Sequence, residues 1–437
     1  MVEALVAGGF TDEAFETFLS ARREPSWLAA QRREAWATFR RLPFPDRSQE
    51  EWMRTDIRAF HLDHFAPPAA AGVEADVPPR LLSRGVELAG SVVSIDSQPH
   101  SVELDPAVAR RGVWFGNLDE LPAAQSGFVR RHLFTRAVDY RADKFAALHA
   151  ACWSGGTVLR VPQGVSVDRP FHMASVLLPG GTDLGHSLIV LEAGAEATVL
   201  AETASVEQAA EGLHCGAIEI FVGPGARLRY VGLQNWGAGV WHFAHHKALV
   251  DRDATLQWTV GALGSRLAKV NQHVALVGPG ADAQINGVMF TDGRQHLSYH
   301  TLQHHQAAHC TSDLLYRGAL QGASRLVWRG MIKVDPGAQR TDGYQRNDNL
   351  MLSEDARADS IPGLEIEADD VKCSHGATAG RVDDETVFYA AARGLTRNEA
   401  VRMIVTGFFQ QVFDRITVPG VRHALGEAIG RRIRQYA

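Results

Sequence analysis

Apolar residues follow two different rhythms along this chain, and the change falls near Gly156. Between Glu13 and Arg41, the residues Phe15, Phe18, Leu19, Trp27, Leu28, Trp36 and Phe39 recur at spacings of three, four and seven among Arg, Glu and Ala. That is the spacing of a single buried helix face. Pro25 predicts the start of a second helix, because its fixed φ suits a first turn and its missing N–H is not needed there. Residues 1–65 therefore read as a helical N-terminal region. Ala66 to Pro79 contains Pro67-Pro68 and Pro78-Pro79 in an Ala- and Gly-rich stretch, which is linker composition. The rest of 66–155 is mixed. Leu88 to Ile95 predicts a strand, and Phe128 to Ala151, with Phe134, Val138, Phe145 and Leu148, predicts a helix.

Beyond Gly156 the helical period stops, and short β-rich runs alternate with Gly and Pro. One pattern recurs: an aliphatic residue, two turn residues, Gly or Asp, then a small residue. Its copies are Val161 to Val165, Leu191 to Ala195, Val222 to Ala226, Val250 to Ala254, Val277 to Ala281 and Val334 to Ala338. Their last positions advance by 30, 31, 28, 27 and 57 residues, the final step being close to two units. Three copies carry Pro then Gly, at 224–225, 279–280 and 336–337. Pro sets φ at the second turn position and Gly accepts positive φ at the third, so type II turns are predicted. A fixed period in β-rich sequence marks rungs that bury one another. The fold class expected is mainly β, with a β-helix core over 156–382. Antiparallel hairpins in a sandwich are the structural rival.

After Asp383 the helical period returns, giving a helical C-terminal region over 383–437. Asp383-Asp384-Glu385 places acids where a helix start favours them. Val387, Phe388, Ala391 and Ala392 form the expected apolar face, and Gly394 the stop. Thr396 and Glu399 predict a capping box for the next helix. A last segment, Val421 to Tyr436, ends on a basic turn, Arg431-Arg432-Ile433-Arg434.

Length and charge narrow the function classes. The 437 residues suggest two or three domains, and 45% apolar with 22% charged residues excludes a wholly disordered chain. A net charge of −6 argues against a protein built to grip nucleic acid. No apolar run reaches the roughly 18–20 residues of a membrane span. The opening Met1-Val2-Glu3-Ala4 lacks a basic stretch, so no secretory leader and a cytoplasmic location are expected. Cys152, Cys215, Cys310 and Cys373 form no C-x-x-C pair, which argues against a zinc ribbon or a disulfide scaffold. A phosphate-binding loop, a dinucleotide fold and a nucleophile elbow are also absent from the sequence.

Two groups of residues hold candidate chemistry. His296, His300, His304, His305 and His309 precede Cys310, and His242, His245 and His246 form a smaller group. On a helix, His296, His300 and His304 would converge on a metal; on a strand they stand about 13 Å apart and cannot share one ion. The strand-rich surroundings favour polar ladders of a sheet. Cys373 and His375 sit two apart, so a strand presents both on one face, where thiolate and imidazole suit iron. Two ligands do not complete a site, so the residue chemistry alone favours Cys373 as a small buried hydrophobe and His375 as a turn or cap residue.

The run Leu364-Glu365-Ile366, then Asp370 to Thr378 (Asp-Val-Lys-Cys-Ser-His-Gly-Ala-Thr), then Asp384-Glu385, Phe388-Tyr389, Arg393-Gly394 and Ala400 resembles the SufB/SufD family of SUF-system iron–sulfur assembly proteins. Asp313, Gly318, Asn349-Leu350-Met351-Leu352 and Glu51 to Ile57 are weaker echoes. The resemblance implies a right-handed parallel β-helix between helical ends, and no enzymatic activity of the chain's own. It implies a complex with a SufB-like paralogue and a SufC-like ABC-type ATPase, which would supply the missing nucleotide site. The SufB-type scaffold cysteine would fall near Gln345 to Asn349, where no cysteine stands. SufB chains also carry Glu-His-Glu where this chain has Ser374-His375-Gly376. Both departures place the likeness on the SufD side. It then implies His375 at the SufB interface, where it assists cluster formation or iron entry and is a candidate metal ligand. Cys373 stands beside it, and Phe388, Arg393, Met403, Phe408 and Phe409 are implied to hold the ATPase. No stably bound cofactor is implied, only transient iron or an iron–sulfur cluster at the SufB interface. Flavin binding and self-association without SufB stay open.

Two other readings compete. A β-helix carbohydrate-active enzyme would need carboxylates on one groove face, drawn from Asp251, Asp253, Asp282, Asp292, Asp313, Asp335, Asp342 and Asp348. A cupin-like metalloenzyme would use the histidines from 296 to 309.

Overall fold

The computed structural model describes residues 9–68, 77–120 and 123–433. Most of the expected linker, and the end of the basic tail with Arg434 and Tyr436, lie outside the described residues.

Two sheets face each other across one long core, and the chain lays a strand in each sheet by turns. The first sheet runs from Gly90–Ile95 through Phe171–Leu177, Glu196–Ser205 and Arg227–Asn235 to Asp342–Met351 and Lys372–Arg381. The second runs from Thr157–Val161 through Glu211–Val222, Gly239–Val250 and His296–His305 to Arg325–Val334 and Arg357–Ile366. From Thr157 onward every pairing between successive rungs is parallel. Among the described residues, antiparallel pairing occurs only where Gln98–Leu104 joins Gly90–Ile95 and Trp114–Asn117 joins Thr157–Val161, at the N-terminal end. The solenoid is therefore the architecture, and the hairpin sandwich is not.

The repeat lies at the corners, where a second-sheet strand hands over to the first sheet. Its Gly-or-Asp position is left-handed: Gly164, Gly194, Gly225, Asp253 and Gly280 all have positive φ, between 55° and 75°. Each of these residues donates its backbone N–H to the next corner: Gly164 to Ala193, Gly194 to Pro224, Gly225 to Arg252, Asp253 to Pro279 and Gly280 to Ala308. The left-handed turn aims that N–H along the solenoid, which explains why Gly recurs and Asp substitutes. The 57-residue step conceals one more corner, where His309 (φ 61°) donates to Gln339. The type II expectation fits Pro224-Gly225 and Pro279-Gly280 and fails at Pro336-Gly337. That corner is longer. Gly337 lacks positive φ, and Arg340 (φ 59°) takes the left-handed place and donates to Asp370.

Parallel in-register pairing stacks side chains of the same face in columns. One inner column reads Tyr230, Trp258, Ile285, Leu314, Gln345, His375. The inward residues, mostly Val, Leu, Ile and Ala, make the core.

The helical regions cover the two outer faces. Asp12–Ser20 and Ser26–Arg41 form as the period predicts, with Pro25 just before the second. They pack with Lys144–Cys152 over the second sheet, where Phe145 stacks on Phe243 at 3.7 Å. Arg32, fully buried, joins this layer by bonds to Glu24 and to the carbonyls of Ala151 and Trp153. The expected helix over Phe128 to Ala151 is broken into Ser126–His132 and Lys144–Cys152. Between them, the N–H groups of Phe134 and Val138 donate to the buried carboxylate of Glu219, both at 2.9 Å, and Phe134 adopts φ 52°. A buried acid on the sheet takes donors that a continuous helix would have used itself.

Asp384–Ala392, Arg397–Arg415 and Pro419–Ile433 cover the first sheet, with Val405, Phe409 and Val412 against Val231, Phe290 and Leu315. Asp383 caps the first of these helices, Gly394 follows it with φ 92°, and Thr396 with Glu399 forms the capping box. Of the expected face the first helix buries Val387, with Ala390 beside it, and leaves Phe388, Ala391 and Ala392 exposed.

Several histidines are buried in this framework. Burial drives His246 and His273 down to about 3, and His296 and His305 down to about 4. The unfolded chain takes up protons below pH 6.5 that the folded chain refuses. The contribution of these histidines should be constant above neutrality and fall as pH drops from 6.5 toward 4, by up to about 1.4 kcal/mol per pH unit for each of them. Urea midpoints measured from pH 7.5 to 5 check this; a midpoint that rises on acidification would contradict it.

Candidate functional site

The solenoid ends in strands Arg357–Ile366 and Lys372–Arg381, each paired on one side only. Cys373 and His375 lie on the second of these and continue inner columns, so both face the mouth of the core. Cys373 follows Leu228, Leu256, Ala283, Ser312 and Gly343. Across the mouth, Leu364 and Ile366 continue the columns of buried Ile332 and Val334, and are 38% and 40% exposed. An apolar face that every other rung buries is here left uncovered.

The two central side chains differ. Cys373 is half-buried and packs on the small cluster of Ile332, Val334 and Ala338. Gly343 beneath it has no side chain, and a Cβ there would stand 3.3 Å from the Cys373 sulfur and 3.6 Å from His305 Nε2. Burial pushes the Cys373 thiol up, which keeps it protonated and weakly nucleophilic at neutral pH. His375 is exposed and makes no side-chain hydrogen bond to another described residue. The rung below it is polar and ordered. Gln345 donates to the Gly363 carbonyl at 3.0 Å, while its own Oε1 is buried without a partner. Asn349 donates to Asn347 at 2.7 Å and to Ser360 at 3.0 Å. The stretch Gln345 to Asn349 pairs directly with His375 to Ala379, so the place where a scaffold cysteine was sought lies one strand from His375. The arrangement can offer one free imidazole and one partly covered thiol to a metal at an apolar mouth, and a second molecule would have to complete the set.

The remaining candidates separate. His296, His300 and His304 lie on a strand and each has its own surroundings. His300 bonds Glu51 at 2.7 Å, His304 bonds Asp335 at 2.8 Å, and His305, on the opposite face, bonds Ser312 at 2.8 Å. In the smaller group, His242 bonds His214 at 2.6 Å and His245 bonds Asp143 at 2.8 Å. Of the acids, Asp282 lies near enough to Asp313 to feel its charge, Asp313 itself pairs with Arg415 at 3.0 Å, and Asp348 bonds Thr378 at 2.7 Å and Arg346 at 2.9 Å. Neither a three-histidine metal site nor a carboxylate groove forms from these residues.

The C-terminal aromatic stripe divides. Phe388 is 76% and Met403 54% exposed, and Arg393 lies over the neighbouring Tyr389 ring at 5.1 Å. Phe409 is wholly buried against the first sheet, and Phe408 is half-buried under the Arg317 guanidinium, 5.0 Å from its ring. Phe409 therefore belongs to the packing between helix and solenoid. The sequence reading missed Tyr389 as surface, and Leu364 and Ile366 as an uncovered core edge. Alternation along a strand marks an inward face, but nothing in it says whether another rung follows.

A family model described as the SufBD core domain of SUF-system FeS cluster assembly matches residues 178–408, and one described as the SufBD N-terminal region matches 16–173. The chain belongs to the SufBD family. It is 36% identical over 297 residues to an iron–sulfur cluster assembly SufBD family protein of Mycobacterium leprae, covering 66% of this chain and 74% of that one. A Mycobacterium tuberculosis family member is 34% identical over the same span, covering 66% and 73%. The iron–sulfur cluster assembly protein SufD of Bacillus subtilis is 26% identical over 427 residues, covering 97% and 98%. The core-domain match contains the mouth of the solenoid, with Cys373 and His375, and ends part-way along the helix Arg397–Arg415. None of the described helices is long and apolar enough to cross a membrane.

In this SufBD protein the other three cysteines, Cys152, Cys215 and Cys310, are buried. Iodoacetamide should therefore label Cys373 first, slowly at pH 7 and faster at pH 9 as the raised thiol ionises. Peptide mapping by mass spectrometry reads this, and prior labelling of any other cysteine would refute the exposure order.

Proposed function

We propose that this chain is the SufD-type, non-catalytic subunit of an iron–sulfur assembly complex, and that its solenoid mouth pairs with a SufB-like paralogue. The uncovered core edge carries the reading: Leu364, Ile366 and Cys373 form an apolar rim beside two unpaired strand edges, around an imidazole with no side-chain hydrogen bond among the described residues. Open edges and exposed apolar surface favour a matching rung from another chain. Without SufB, the same edge can pair two copies of this chain.

In this reading iron is cargo. His375 supplies one imidazole nitrogen to iron entering between the subunits, and the paralogue supplies the thiolates that complete a cluster. The missing cysteine between Gln345 and Asn349 agrees with that division of work. A SufC-like ABC-type ATPase docks on the C-terminal helices through Phe388, Met403 and Arg393, with Phe408 and Phe409 supporting that surface from behind. Movement of the ATPase is passed through these helices to the first sheet and so to the mouth.

Co-expression with a SufB-like and a SufC-like partner should give one complex by native mass spectrometry. His375→Ala should leave that complex intact and reduce cluster formation at least tenfold; unchanged cluster yield would remove His375 from the mechanism. Phe388→Ala with Met403→Ala should release the ATPase while sparing the SufB pairing. Full retention of the ATPase by this double variant would place its docking surface elsewhere.

A further inference from the structure

Among the described residues, a single group brings three metal-binding side chains together, and it lies far along the chain from the mouth. His61, Asp63 and His64 place one donor atom each within 4.8 Å of one another. A fourth donor comes from a different element, since Glu211 Oε2 is 3.5 Å from His64 Nδ1. Glu211 opens the solenoid strand Glu211–Val222, whereas the other three lie at the short 3₁₀ turn Leu62–His64.

The turn is held in shape. Phe60 and Phe65 on either side are buried, their rings stacked at 6.1 Å, and Phe60 packs on Trp241 and Phe243 of the second sheet. The His64 N–H donates to the His61 carbonyl at 3.2 Å, and the Phe65 N–H to that of Leu62 at 3.1 Å. In a 3₁₀ turn, side chains three apart eclipse. The imidazoles of His61 and His64 accordingly lie face to face, 5.1 Å between centroids and 24° between planes. Donors around a tetrahedral zinc sit about 3.4 Å apart at ordinary bond lengths. Side-chain rotation alone can bring exposed donors from their present separation to that distance.

A solvated polar turn would explain any one of these residues. It does not explain two stacked imidazoles and a carboxylate converging over an anchored backbone, with a second carboxylate from the solenoid set against one of the imidazoles. We propose that His61, Asp63, His64 and Glu211 bind a divalent transition metal. Two imidazoles with carboxylates select zinc, cobalt, nickel or ferrous iron over magnesium or calcium, whose ligands are oxygens. Because Glu211 belongs to the solenoid, the bound ion ties the N-terminal region to the second sheet. This inference uses none of the residues of the assembly reading.

The test uses the full chain, tag-free and stripped with chelator, titrated with Co2+ at pH 7.5 and followed by visible absorption. A saturable d–d band without thiolate charge transfer is expected, and zinc should raise the melting temperature. His61→Ala and His64→Ala should each weaken cobalt binding by about tenfold or more. Glu211→Gln should remove most of the thermal shift. His375→Ala and Cys373→Ser should leave binding unchanged, which separates this site from the mouth. Parental affinity in the His61→Ala/His64→Ala double variant would overturn the proposal, as would the lack of saturable binding by the parent chain at sub-millimolar metal.

Discussion

A parallel rung is stable only when another rung covers its edge, and that requirement organises the whole molecule. Backbone ladders run the length of both sheets, and the corners add a third ladder of their own. Gly164, Gly194, Gly225, Asp253, Gly280, His309 and Arg340 each turn left-handed and hand an N–H to the following corner. An L-residue in that conformation costs roughly 1–2 kcal/mol. Glycine avoids this, and Asp tolerates it better than most residues. Where His309 and Arg340 stand instead, the hydrogen bond to the next corner and the buried columns beside it hold the conformation. Corner register and side-chain register are thus set together, because a slip at a corner would break the bond and displace every inward residue of its rung.

The same requirement explains why the candidate site is at the end. Tyr230, Trp258, Ile285, Leu314, Gln345 and His375 occupy one column, and the first five are sealed in the core. His375 differs only in that no strand follows Lys372–Arg381. A position that buries a side chain everywhere else presents it here, together with Cys373, Leu364 and Ile366. The mouth is made by stopping the repeat rather than by adding a loop to it.

The helical regions solve a second problem, the outer faces of the sheets. The N-terminal layer is fastened by polar contacts as well as by aromatic packing. Lys269 on the second sheet donates to the Glu51 carbonyl at 2.9 Å and contacts His300, and burial brings its ammonium down to about 7. The bond from His300 holds the Glu51 carboxylate down to about 2. Thr55 bonds buried Ser298 at 3.0 Å, so the stretch from Glu51 to Thr55 is laid directly on the strand that carries the histidine tract. Those histidines serve as anchors for this layer and for their own sheet. The C-terminal layer instead buries one apolar face and leaves Phe388, Tyr389 and Met403 in solvent.

Short-range chemistry was legible in the residues alone. The helix starts at Pro25 and Thr396, the corner repeat, and the placing of Cys373 and His375 on one strand face depend on contacts within a few residues, and the structure keeps them, except at the corner after Val334, where Arg340 replaces the expected Gly337. The motif from Leu364 to Thr378 also carried the family. What the residues could not show is what lies opposite them. Glu219 draws in the backbone of Phe134 and Val138 from about eighty positions away and breaks a helix that the local pattern favours. Phe388 and Phe409 have similar local composition, yet one is outside and the other sealed, since only the docking angle of each helix on the sheet decides it. His61 and His64 look like ordinary surface residues until Glu211 arrives from the solenoid. Burial and convergence are properties of chain segments distant in sequence, so they were settled only when the rungs had stacked and the helices had packed on their faces.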